Sequence, residues 1–187
     1  MHGSKPPVLD LRLFRGQIWP RRRQLVSSWA PYISMMLAIL VSLALPFLPA
    51  ASTKISDAAS HGLTFSSISV GACFTSLVLS LGLPGARRLR DWSRRRGALE
   101  GKSVLSDLVF VLVWAGLSQL SLIFVCVFAM LFGGDLEMAP VGMYLSHFVT
   151  LIAGMFAFFY AVFELVIVIQ TLSQIGVIII AEEQRCS

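Results

Sequence analysis
Leu108–Phe132 reads LVFVLVWAGLSQLSLIFVCVFAMLF, an unbroken run without Asp, Glu, Lys or Arg. A bilayer core about 30 Å thick takes about 20 helical residues to cross, and this run exceeds that length. Three further runs share its character: Trp29–Leu48, Thr64–Leu83 and Phe148–Ala181. Helices of a soluble bundle carry a polar face toward water, and these runs have almost none. The sequence therefore predicts an all-α polytopic membrane protein with four transmembrane helices. Residues 1–28 form an N-terminal arm, 29–181 the transmembrane domain with a basic loop at 84–107, and 182–187 a tail.

Composition agrees. The chain has 187 residues, 56% hydrophobic and only 13% charged, against about 25% charged in soluble domains. The spans occupy most of that length and leave no room for a conventional soluble catalytic domain. A net charge of +5 would suggest nucleic acid in a soluble protein, but here the charges are placed by topology. Of the 15 Lys and Arg, only Lys54 lies in a link on the far side from the others. Lys5, Arg12, Arg15, Arg21, Arg22 and Arg23 precede the first span. Arg87, Arg88, Arg90, Arg94, Arg95, Arg96 and Lys102 lie between the second and third, and Arg185 follows the fourth. By the positive-inside rule, both termini and the middle loop are expected in the cytoplasm. Pro49–Leu63 and Gly133–His147 then face out. The charged region ahead of Trp29 is too long for the n-region of a signal peptide, so the first run is expected to remain as a span.

Two basic clusters, Arg21–Arg23 and the loop arginines Arg87, Arg88, Arg90, Arg94, Arg95 and Arg96, suit an anionic leaflet or a partner protein. Each such residue contributes about 1 kcal/mol near anionic headgroups. Direct nucleic-acid binding is not expected. The loop follows the helix break Leu83-Pro84-Gly85 and surrounds Trp92, as in a short amphipathic or interfacial element. The arm, with its alternating Leu9-Asp10-Leu11-Arg12-Leu13, suits either a partner's sheet edge or the membrane surface.

Span two is rich in small and hydroxyl residues. Ala72, Ser76 and Ser80 recur every four positions, as do Ser67, Gly71 and Thr75, and such seams let helices approach closely. They predict burial of this span within the bundle or between subunits, with a pore-lining hydroxyl stripe as the alternative. A similar seam, Ala153, Ala157 and Ala161, runs along span four. Ser106-Asp107 suits the start of span three, where Gln119 is the amide nearest mid-membrane.

Span four is too long. From Phe148 to Ala181 it would extend about 51 Å at 1.5 Å per residue. It is expected to continue into the cytoplasm or to break near Gly176. Surplus apolar helix there would need an oligomer or a soluble partner to cover it. Glu164 is the ionisable residue deep in this span, with Thr171 two turns on along nearly the same face. It suits a proton- or ion-sensitive site, or a structural carboxyl bonded to a neighbour such as Gln119.

Catalytic signatures such as a P-loop, GxSxG or HExxH do not occur, and neither cofactor nor metal is expected. Cys73, Cys126 and Cys186 show no metal-binding spacing and read as small fillers. His61 and His147 both lie on the outer side, where they have room to meet.

The segment Ile68-Ser69-Val70-Gly71-Ala72-Cys73-Phe74-Thr75-Ser76-Leu77, followed by Leu83-Pro84 and the arginine loop, resembles the small four-span membrane proteins of bacterial anti-phage defence clusters. The membrane subunits of Kiwa systems are the nearest. The resemblance covers the architecture of residues 29–181. It implies a non-enzymatic oligomeric sensor or scaffold that holds a cytosolic effector, and it assigns no residue a role. The alternative is a pore- or channel-forming effector.

Overall fold
The computed structural model describes residues 28–47, 53–82, 85–94, 103–138 and 144–186. It contains α1 (Ala30–Ala44), prolonged by a 3-10 turn at Leu45–Phe47, then α2 (Ile55–Gly82), α3 (Gly85–Arg94), α4 (Val104–Gly133) and α5 (Leu145–Cys186). The described residues form no strand; Lys54 and Glu137 make an isolated antiparallel bridge. Helices α1 (with its 3-10 turn), α2, α4 and α5 are long and apolar enough to cross a membrane. The chain is thus an all-helical protein of multi-pass membrane type.

Three helices differ from the sequence reading at their ends. Helix α2 begins at Ile55, nine residues ahead of the expected Thr64. Ser56, Asp57, Ser60 and His61 read as a polar link, yet tertiary packing there outweighs local polarity. A Cβ on Gly62 would stand 2.8 Å from the Cys126 sulfur, and one on Gly133 would collide with the Ile55 side chain. The α2–α4 hairpin therefore closes on two glycines. Backbone bonds seal the turn, with Ile55 N–H donating to Leu136 O and Met138 N–H to Thr53 O, both 2.9 Å. Gly133→Val is expected to force these helices apart and cost about 1–3 kcal/mol, as overpacking does. A thermal unfolding scan in detergent, compared with Gly71→Val, checks this, because a Cβ on Gly71 meets nothing within 4 Å.

Helix α4 is capped by Ser103 rather than by Ser106-Asp107. The Ser103 hydroxyl accepts from the Ser106 N–H at 3.2 Å, and Asp107 falls in the first turn, where a carboxylate complements the helix dipole. Helix α5 runs without interruption through Gly176 for 42 residues, about 63 Å at 1.5 Å per residue. Twice the thickness of a hydrocarbon core, it must leave the slab at one end or tilt steeply.

The spans stand in a bent row. Helix α1 packs along α5, α5 along α4, and α4 along α2, with a minor contact between α2 and α5. Ala30, Ser34, Ala38 and Ser42, all buried, carry α1 onto α5. The regular four-residue spacing of this small-residue line is the signal of it in the sequence. The Trp29 ring meets Phe163 edge-on, with centroids 5.2 Å apart.

The expected seam on α2 lies elsewhere. Its buried line is Ala59, Gly62, Ser66, Ser69 and Cys73, stepping by threes and fours, whereas Gly71, Ala72 and Thr75 face outward. A strict four-residue row advances 400° per step on a 100° helix and so drifts about 40° around the axis. Ala72 is accordingly exposed, Ser76 half-buried and Ser80 buried. The same drift takes Ala153, Ala157 and Ala161 from exposed through half-buried to fully buried.

Candidate functional site
Two clusters of side chains stand out, one among the spans and one at the end that carries α3. The first begins with Gln119, which is 0% exposed. Its Nε2 donates to the Ala161 carbonyl at 2.7 Å. Ser66 Oγ donates to the Gln119 main-chain oxygen at 2.6 Å and lies 3.3 Å from Oε1. One amide thereby ties α2, α4 and α5 together at a single level. Interhelical hydrogen bonds of this kind contribute about 0.6 kcal/mol on average within membranes, so the node sets register more than it supplies stability.

About one helical turn along α5 from Ala161 lies Glu164, 4% exposed. Its carboxyl has no hydrogen bond with Gln119, whose Nε2 donates to Ala161 O, nor with Thr171, whose hydroxyl donates to Ile167 O at 2.8 Å. The polar groups beside it are the Tyr160 hydroxyl and the Trp114 indole. Trp114 Nε1 donates to Tyr160 Oη at 2.9 Å. Tyr160 precedes Glu164 by four residues, so the two share a helix face, and α4 brings in Trp114. Both Trp114 and Tyr160 were visible in the sequence. The pairing was not, since it depends on how α4 and α5 align.

The second cluster is built around α3. Trp92, 6% exposed, packs in a core with Cys73, Leu108, Leu112, Ala115 and Val168. Leu77, Leu105, Leu172 and Ile175 extend this core along α2, α4 and α5. The arginine segment is thus a helix anchored to the bundle by its tryptophan, with Trp92 inside protein rather than at the headgroup level. Arg90, Ser93 and Arg94 remain exposed. Arg87 and Arg88 lie on the same helix, while Arg95, Arg96 and Arg21–Arg23 fall outside the described residues, as does the N-terminal arm. Alongside, α5 exposes Gln170, Ser173 and Gln174 together with Ile169 and Val177. That mixed surface differs from the aromatic half of the same helix.

The opposite end is a tight turn with one surface ion pair. Lys54 Nζ lies 2.6 Å from Asp135 Oδ1. The hydrogen bond and the opposite charge raise the lysine above its ordinary value and lower the aspartate below its own. Asp135 thus favours the folded turn above the ordinary carboxylate range, a contribution lost as pH falls through its lowered pKa. Lys54 does so below the ordinary lysine value, until pH rises through its raised one. Neither limb lies near neutrality. His61 and His147 border the same cavity at this end. The His147 Nε2 contacts the Met138 carbonyl at 3.0 Å.

Among the described residues no group of three His, Cys, Asp or Glu is gathered as a metal site. No protein-family model, no curated protein and no solved structure matches the chain.

Proposed function
We infer that this protein is a non-enzymatic inner-membrane scaffold or sensor whose α3-bearing end, in the cytoplasm, docks a soluble partner. The observation that carries the reading is the Trp92 anchor. It fastens a short arginine helix to the core that α2, α4 and the overlong α5 share. A helix meant only to lie on headgroups would turn its tryptophan toward lipid; this one is fastened to protein and presents Arg90 and Arg94. A fixed basic surface and the mixed polar and apolar face at Ile169–Val177, at the same end of the bundle, suit an acidic protein surface with some apolar content. The outward line Gly71, Ala72 and Thr75 would let a second copy approach closely, which fits a homo-oligomer. The resemblance to anti-phage defence proteins agrees with a role in holding an effector.

A pore is less well supported. The α2 hydroxyls of Thr64, Ser67 and Ser69 donate to carbonyls of their own helix. Glu164 is enclosed by Trp114 and Tyr160 rather than facing a water path. Photo-crosslinking amino acids at Ser93 and at Gln174, in cells carrying the native neighbouring genes, test the dock. The expected result is one and the same soluble protein trapped from both positions and lost when Arg90 and Arg94 are changed to Glu. Crosslinks to lipid alone at both positions would contradict it.

A further inference from the structure
At the end remote from α3, a cavity of about 1200 Å³ opens between α2, α4 and α5. That is larger than the roughly 300–1,000 Å³ of ordinary small-molecule pockets. Its wall is almost wholly hydrocarbon. Phe124, Phe128 and Phe132 on that wall stay 64%, 58% and 76% exposed, so the cavity opens sideways onto the surface the spans turn toward lipid. Phe65 and Phe158 form its floor, their ring centroids 5.7 Å apart, just short of the Ser66–Gln119–Ala161 node.

The depth is informative. From Ile55 to Phe65 on α2, or from Gly133 to Leu122 on α4, the cavity spans about 15 Å of helix. Half of a hydrocarbon core of about 30 Å is the same length. The groove is thus about as deep as one leaflet and closed below by Phe65 and Phe158. Polar groups are few, with His61 about one turn above Phe65 and the others nearer the mouth, and several are occupied within the protein. Thr150 donates to Ser146 O at 2.9 Å, and His147 is engaged with Met138. Water would find few partners below them, and a dry void of this size would forfeit packing along its whole wall. A helix from a second copy is a poor filler, because a spanning segment would collide with the aromatic floor halfway.

We propose that this groove is a binding site for the acyl chains of a phospholipid drawn from the leaflet at the Lys54–Asp135 end. The tails lie against Phe65, Leu122 and Phe158, and the headgroup sits at the level of Gly133 and Ser146. Recognition rests on the tails, since the cation at this rim, Lys54, is paired with Asp135.

The test uses the full chain in nanodiscs of phosphatidylethanolamine doped with a phosphatidylcholine that carries a diazirine near its tail terminus. Labelling, located by mass spectrometry, is expected to concentrate on the peptides bearing Phe65, Leu122 and Phe158. Gly154 lines the groove, and a Cβ there meets nothing within 4 Å. Gly154→Phe should therefore fill the space and cut this labelling at least fivefold, while labelling around the exposed Met36 and Leu40 of α1 stays constant. Ala153→Phe, at an exposed lining position, gives a second filling variant should the first fail to fold. Labelling in the groove no stronger than on α1, or unchanged by both substitutions, would overturn the proposal. So would efficient Phe128→Cys cross-linking between copies, which would assign the groove to a second subunit.

Discussion

Trp92→Ala is expected to release α3 from the bundle and to make the arginine segment the most protease-sensitive part of the folded protein. Removing a buried tryptophan from a packed core costs about 3–5 kcal/mol where the site cannot relax. Here the loss falls on a helix of ten residues, too short to hold its structure alone. Trypsin should then cut among Arg87–Arg96 at least tenfold faster than in the unaltered protein, while the four spans stay helical by circular dichroism. Trp92→Phe should restore most of the protection, because the phenyl ring still fills much of the pocket left among Leu77, Leu105 and Leu172. Unchanged cleavage in the alanine variant would mean that α3 is not anchored as described, and the docking surface would lose its rigidity with it.

The second large effect concerns the carboxyl among the spans. Trp114→Phe combined with Tyr160→Phe keeps the aromatic bulk but removes the two polar groups beside Glu164. Leaving a buried acceptor without partners costs about 1–3 kcal/mol, and more for a charged group. Apolar replacement of every member of such a cluster is often neutral or stabilising. Adding Glu164→Leu to the double variant should therefore recover most of the lost stability. Thermal or denaturant unfolding in detergent, run as a mutant cycle, measures the coupling. If the triple variant is no more stable than the double, the three side chains do not act as one unit. Gln119→Leu serves as the contrast: it removes the node that ties α2, α4 and α5, yet it should cost less, since such bonds contribute so little in lipid.

Much of this architecture could be read in the amino-acid order because bilayer thickness converts directly into run length. Leu108–Phe132, with nothing charged in it, leaves no other reading. Overlength in the fourth span was equally plain from counting, and α5 extends still further, to Cys186. What escaped was whatever depends on how two helices meet. The start of α2 at Ile55 was hidden because Ser56, Asp57 and His61 look like link residues, and only the approach to Gly133 and Cys126 makes helix the better state. The seam at Gly71, Ala72 and Thr75 followed from spacing alone. A four-residue repeat turns about 40° per step relative to a straight contact, so its partner was not on that side of the single chain. On α1 the same spacing does mark a contact, since rows of that kind run at an angle to the axis and follow an inclined neighbour. Glu164 was conspicuous by its charge, whereas its partners were set by the rotation of α4 that brings Trp114, rather than Gln119, beside it. Trp92 was noticed for its arginine neighbours, yet its burial among Leu108, Leu112 and Val168 is a tertiary fact that no local pattern announces.

The orientation of the spans governs everything proposed for the arginine helix, and it can be measured directly. Alkaline phosphatase, active only outside the cytoplasm, would be fused in separate constructions after Arg94, after Asp135 and after Ser187. Activity is expected from the Asp135 fusion alone, with the other two silent and matching fluorescent-protein fusions bright. Strong phosphatase activity after Arg94 or Ser187 would place the basic end outside the cell and contradict the assignment of a cytoplasmic dock.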